Sequence, residues 1–192
     1  PHMTVFADRN KVEKEETFEL ASAARDRFMF ELNMSKPVDR GIRRALVFDT
    51  AFHDADQLIE QVPAAMVRAD QLNAIGALIQ RSVSSSEAIE SYVLDLWEAS
   101  EDPLRFGVQL DGVDMRRLVL AGASPRGMSA LLRAARVVAW LQGRTHLLPD
   151  DVLAVLPSVL AHRVFFTPVY ELRRAELAPA LVQKIIDQVA AP

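Results

Sequence analysis

From Pro37 to the C-terminal end, apolar residues recur at the spacing of a helix, and this period constrains the fold more than any other feature of the 192-residue chain. Ile89, Tyr92, Val93, Leu96 and Trp97 form an unbroken stripe along one helical face, directly after the serine run Ser84–Ser86. Such a face must be buried against other helices. Val38, Ile42, Ala45 and Leu46 give a second face, with Pro37 placed for a helix start. Leu72, Ile75 and Ile79 give a third, with Asp70 as its cap. Ser124-Pro125 opens a further helix, serine as N-cap and proline at the first helical position, and Gly143 stops it. Pro149-Asp150-Asp151 begins the next, its acids in the first turn where the macrodipole favours them. Val152, Val155, Leu156, Val159 and Leu160 are its buried side, and Pro157 is expected to kink or split it. Val182, Ile185, Ile186 and Val189 mark a last helix.

Extended segments gather near the start. Thr4–Ala7 and Phe28–Leu32 read as strands, separated by the charged run Lys11–Glu16, a solvated loop or hairpin tip. Ser100–Asp114, with Pro103, Gly107 and Gly112, reads as a loop with room for a hairpin, and Arg117–Leu120 as a short strand or extended approach. The fold class is therefore mainly α, a helical bundle with a small fragment of sheet. Pro1-His2-Met3 resembles a vector scar with Met3 as the cloned start, and entry straight into a strand points to a truncated chain. A sheet fragment has open edges, so the Thr4–Leu32 region is expected to be swapped, strand-paired or poorly ordered.

Composition narrows the function. Half the residues are apolar and the formal net charge is -4, which offers no global field for nucleic acid or membrane phosphates. Cysteine is absent, which removes disulfides, thiolate metal sites and cysteine nucleophiles. His53, His146 and His162 show no metal-ligand spacing, so no metal is expected. No apolar run reaches the roughly 18 residues that cross a bilayer and no signal peptide opens the chain, so membrane insertion is not expected and the cytoplasm is the expected location.

Gly122-Ala-Ser-Pro-Arg-Gly127-Met128-Ser129 follows an apolar segment and opens a helix, imitating a phosphate-binding loop. The lysine is missing, and Pro125 removes an amide donor, so it is not a working phosphate loop. No apolar strand ends in Asp-Glu either, so both motifs that grip ATP and its magnesium are absent. Arg126 faces the positive end of a helix dipole, an unfavourable place for a cation but the place where anions bind. Read alone, it is either an exposed arginine paired with a nearby acid or a residue that shares a phosphate with the helix end. Asn10 alone reads as a turn residue, and Arg27 as half of a surface ion pair.

Together these pieces resemble the MoxR family of AAA+ ATPases. Val5-Phe6-Ala7-Asp8-Arg9-Asn10, a charged loop, and Leu20-Ala-Ser-Ala-Ala-Arg-Asp26-Arg27-Phe28 are similar to a strand ending in Ala-Thr-x-Asn followed by Leu-Pro-Glu-Ala-x-x-Asp-Arg-Phe. Gly122-Ala-Ser-Pro-Arg126, then Leu131-Leu-Arg-Ala-Ala, Gln142-Gly-Arg, Leu148-Pro-Asp-Asp-Val152 and Val159-Leu-Ala-His162-Arg163 keep the family's order and spacing. Asp8, Ala21 and Ser22 depart from its threonine, proline and glutamate, and Arg105–Met115 is longer than expected.

The resemblance implies the helical lid of an AAA+ ATPase with a remnant of its αβα core sheet: residues 4–33 from the core, 34–192 the lid. It implies Asn10 as sensor 1, orienting the attacking water, Arg27 as the arginine finger reaching a neighbouring ATP site, and Arg126 as sensor 2. It implies ATP and Mg in the whole protein, with neither bound tightly by this fragment. The expected partners are neighbouring subunits of a hexameric ring and von Willebrand A-domain proteins, with chaperone-like remodelling as the activity. The rival reading is a helical adaptor that never bound nucleotide, favoured if Arg126 is tied up in a local salt bridge. A winged-helix nucleic-acid binder is opposed by the acidic balance, and an autonomous hydrolase by the lack of any nucleophile–base pair.

Overall fold

The computed structural model describes residues 4–8, 20–34, 36–63 and 68–192. Among these the helices are α1 (Ser22–Arg25), α2 (Arg40–Phe48), α3 (Ala55–Glu60), α4 (Leu72–Ser82), α5 (Glu87–Glu101), α6 (Pro125–Leu141), α7 (Pro149–Leu160), α8 (Pro168–Glu171) and α9 (Arg174–Gln188). The strands are β1 (Val119–Ala121) and β2 (Phe165–Phe166). They fall into two compact units, one of residues up to 31 with 76–192 and one of residues 32–75.

The larger unit holds the core. Leu96 of α5, Leu131 of α6, Leu156 of α7 and Leu181 and Ile185 of α9 are each at most 1% exposed. Leu96, Leu156 and Ile185 lie on the apolar faces that the helical period marks, and burying one such side chain contributes about 1.5–3 kcal/mol. The α5 stripe is confirmed, with Ile89, Tyr92 and Leu96 buried and Ser86 accepting the Ile89 N–H as N-cap. Helix α6 runs from its Ser124 cap to Leu141, and Gly143 turns the chain with a φ of 73°, a region glycine enters without strain. The end of α7 returns beside the start of α6, making an antiparallel hairpin. Its connection is pinned to the one before α5: Ser84 donates its N–H to the Thr145 carbonyl and accepts from the Leu147 N–H, both at 2.9 Å.

Several expectations are corrected. Thr4–Ala7 lies in no strand, and neither does Phe28–Leu32. The carbonyls of Phe28 and Met29 are taken by the side chains of His162 and Arg163 instead of a ladder, and Glu31 gives its N–H to the Ser158 carbonyl at 2.8 Å. The two-stranded sheet is elsewhere: β1 pairs antiparallel with β2, Val119 opposite Phe166. Ser100–Asp114 forms no hairpin; Asp102 caps a short 3-10 turn over Pro103–Phe106. Pro157 does not split α7, which continues to Leu160, because Leu156, Val159 and Leu160 are packed at 1% exposure or less on either side of it.

In the smaller unit α2 begins after Asp39, whose carboxylate accepts the Ile42 N–H at 2.8 Å, not at Pro37. Asp54 caps α3 in the same way. Asp70 pairs with Arg68 at 2.7 Å instead of capping α4. None of the unit's described residues is buried. Among the described residues no helix is long and apolar enough to cross a membrane.

Candidate functional site

The loop entering α6 is held by α5. Trp97 donates its indole N–H to the Ala123 carbonyl at 2.7 Å, and the Ser100 hydroxyl accepts the Ala123 N–H at 3.1 Å. Gly122 lies against the end of α5: a Cβ there would sit 2.7 Å from the Glu101 nitrogen. Gly127 lies under Arg163, where a Cβ would come within 2.5 Å of Cδ. Ser124 Oγ accepts the Gly127 N–H at 3.2 Å. Both glycines therefore serve close packing and the Gly127 amide is already capped by Ser124, so the loop is no phosphate cradle. Its one charged group is the Arg126 guanidinium.

Asp26 stands at the centre of the site, 8% exposed. The Ser124 hydroxyl donates to its two carboxylate oxygens at 2.9 and 3.0 Å. Arg126 Nη1 donates to Oδ2 at 3.2 Å. Arg163 Nε lies 3.3 Å from Oδ1, close enough for charge pairing but not aligned for a hydrogen bond.

Arg163, 1% exposed, gives its remaining donors to backbone carbonyls of Asp26, Phe28, Met29 and Val159. Burial lowers its pKa, opposed by Asp26, but a guanidinium stays charged at any ordinary pH. His162 beside it donates Nε2–H to the Phe28 carbonyl at 3.0 Å, since a carbonyl can only accept. Its Nδ1 is buried without a hydrogen-bond partner, and burial pushes its pKa below the ordinary value. On the other flank, Glu171 accepts from Arg25 and Arg174, each at 2.9 Å. Burial raises the Glu171 pKa, but the two arginines outweigh it and hold the carboxylate ionised. The segment Ser22–Glu31 is thus docked on the helical bundle through the ion pairs of Arg25 and Asp26 and through its backbone at Phe28, Met29 and Glu31.

Of the three residues singled out from sequence, Arg126 lies at the first turn of α6 with its side chain 63% exposed and one nitrogen on Asp26. Arg27 is exposed, next to Asp26 in the chain. Asn10 lies outside the described residues. Among the described residues no cluster of His, Asp and Glu could hold a metal ion. Sequence reasoning passed over Asp26 and Arg163 as separate actors. A glycine inside a helix, at Gly127, was the available sign that a large side chain crosses there.

Residues 115–185 match the model of the AAA lid domain. The chain is 53% identical to a protein named MoxR from Methylorubrum extorquens, over all of this chain and 56% of that protein. The chain resembles proteins named MoxR along its whole length and carries an AAA lid domain. It is also 29% identical to the chaperone MoxR1 of Mycobacterium tuberculosis, over 98% of this chain and 46% of that one. A crystal structure of a candidate ATPase from Cytophaga hutchinsonii superposes with a TM-score of 0.71 at 25% identity, over 96% of this chain and 52% of that one. The chain thus spans about half the length of these MoxR-family relatives.

Proposed function

We propose that this chain is the lid-bearing part of an ATP-hydrolysing, oligomeric MoxR protein that remodels partner proteins in a chaperone-like manner. Residues 4–33 belong to its nucleotide-binding core and 34–192 to its lid. Arg126 acts as sensor 2, Arg27 as the arginine finger offered to a neighbouring subunit, and Asn10 as sensor 1. The observation that carries this reading is Arg126: a cation set against a helix N-terminus, 63% exposed and held by a single contact. Phosphoryl transfer rests on cations placed to neutralise transition-state charge, and both arginines are suited to that work. ATP and Mg belong to the whole protein. This chain contributes arginines but no phosphate loop, so it should not turn over ATP alone. Hexameric assembly, von Willebrand A-domain partners and a cytoplasmic location complete the proposal.

The Arg126–Asp26 pair, at 3.2 Å, is what a nucleotide-independent adaptor would rest on. ATP turnover and native mass of the full-length protein separate the two readings. Arg126→Ala and Arg27→Ala should each lower turnover at least about tenfold, equivalent to 1.4 kcal/mol, while the assembly keeps its mass. Unchanged turnover in both variants would promote the adaptor.

A further inference from the structure

Two arginines share the Asp26 carboxylate, and they differ in what they can do next. Arg163 is 1% exposed and spread over backbone carbonyls, so it cannot leave. Arg126 is 63% exposed, holds the carboxylate through one nitrogen, and can swing away. Asp26 keeps two further ties when Arg126 leaves, because Ser124 donates to both of its oxygens and Arg163 flanks one of them. A fixed carboxylate beside a mobile guanidinium is a built-in counter-ion.

We propose that Asp26 is a positioning residue that competes with a nucleotide phosphate for Arg126, so that nucleotide must draw Arg126 off Asp26 to bind. This inference rests on the reading of Arg126 as a phosphate contact. It has a second consequence, because Asp26 precedes Arg27. When Arg126 leaves, the segment carrying Arg27 loses one of its ties to the bundle, while Arg163 keeps the carbonyls of Asp26, Phe28 and Met29. Occupancy of one subunit's site is thereby sensed at the arginine offered to the next. Linkage makes the coupling reciprocal: fixing Arg27 in a neighbouring site would alter how readily Arg126 is released.

The test is ADP affinity of the full-length protein in a double-mutant cycle. Asp26→Asn keeps the shape and an acceptor for Ser124 but removes the charge. It should tighten ADP binding about two- to fivefold, the scale of one exposed charge pair. In the Arg126→Gln background the same substitution should change nothing. Unchanged or weaker binding in Asp26→Asn, or equal tightening in both backgrounds, would overturn the inference while leaving the sensor reading intact if Arg126→Gln alone weakens binding. If Arg126→Gln has no effect on ADP affinity, the sensor reading itself falls and the inference with it.

Asp26→Asn leaves buried Arg163 without its counter-charge and is the variant at risk of not folding. Arg126→Gln, at an exposed side chain, carries a second arm. Backbone amides across residues 26–31 should exchange faster in this variant without nucleotide than in the wild type, and ADP should bring the wild type to the same rate. Equal exchange in variant and wild type without nucleotide would overturn the inference.

Discussion

Gly127 sits in the first turn of α6, where alanine would be the better helix former by about 1 kcal/mol. Propensity alone therefore predicts that Gly127→Ala stabilises the protein. The neighbouring side chain reverses the sign. A Cβ would lie 2.5 Å from Arg163 Cδ and 3.0 Å from Nε, and the guanidinium is pinned to carbonyls on the far side. Gly127→Ala should cost about 1–3 kcal/mol, the usual scale of overpacking, read from denaturant midpoints. A stabilised Gly127→Ala protein would mean that Arg163 is free to move. The spacing of Gly122 and Gly127 was plain in the sequence, and so was its failure as a phosphate loop. The use of the two glycines was not, because the residues that press on them, Glu101 and Arg163, lie far away in the chain.

The α6–α7 hairpin depends on how α7 begins. Asp151, 2% exposed, accepts the Leu148 N–H at 2.9 Å and receives Arg144 through two bonds of 2.5 and 2.6 Å. The acid therefore closes the turn from both sides, and the hydrogen bonds from Arg144 hold its pKa below the ordinary carboxylate range. Asp151→Ala removes a carboxylate from a buried position and leaves Arg144 to be rehydrated, since that side chain is 25% exposed. The expected loss is about 2–3 kcal/mol, below the value for a fully buried pair. A loss under about 1 kcal/mol would show that water replaces both bonds. Element identity was largely legible: the stripes of α5, α7 and α9 are largely buried as their periods require, and α6 runs between the start and stop signals read for it. The segment Phe28–Leu32 was misread as a strand because the chain bends at Phe28 and Met29 and their carbonyls find partners in side chains, at His162 and Arg163, which local pattern cannot reveal. The split at Pro157 was misread for the complementary reason, since packing around α7 outweighs the local cost of proline.

The molecule as a whole meets acid through the junction where Ser22–Glu31 docks on the bundle. His162 is buried there with Nδ1 unpartnered, beside Arg163 and Arg174 and with Glu31 as the nearby acid that favours its charging. Burial holds its pKa below the ordinary 6.5. Below about pH 6.5 the unfolded chain therefore takes up a proton that the folded chain refuses, and stability falls as pH falls. The carboxylates of Glu171 and Asp151, held down by their arginines, add a second loss that begins near their ordinary values of 4.5 and 3.8. Denaturant midpoints between pH 8 and 3 should thus decline in two stages, the first set by a histidine and the second by paired acids. His162→Gln supplies a neutral donor for the Phe28 carbonyl and should abolish the first stage while keeping the second. If the variant keeps the decline between pH 6.5 and 5, the charge that unlocks the docked segment is not that of His162. A protein whose Arg27-bearing segment is tied down by buried cations has this acid sensitivity built in: the same crowding of Arg163, Arg174 and His162 that fixes the segment leaves no room for one more positive charge.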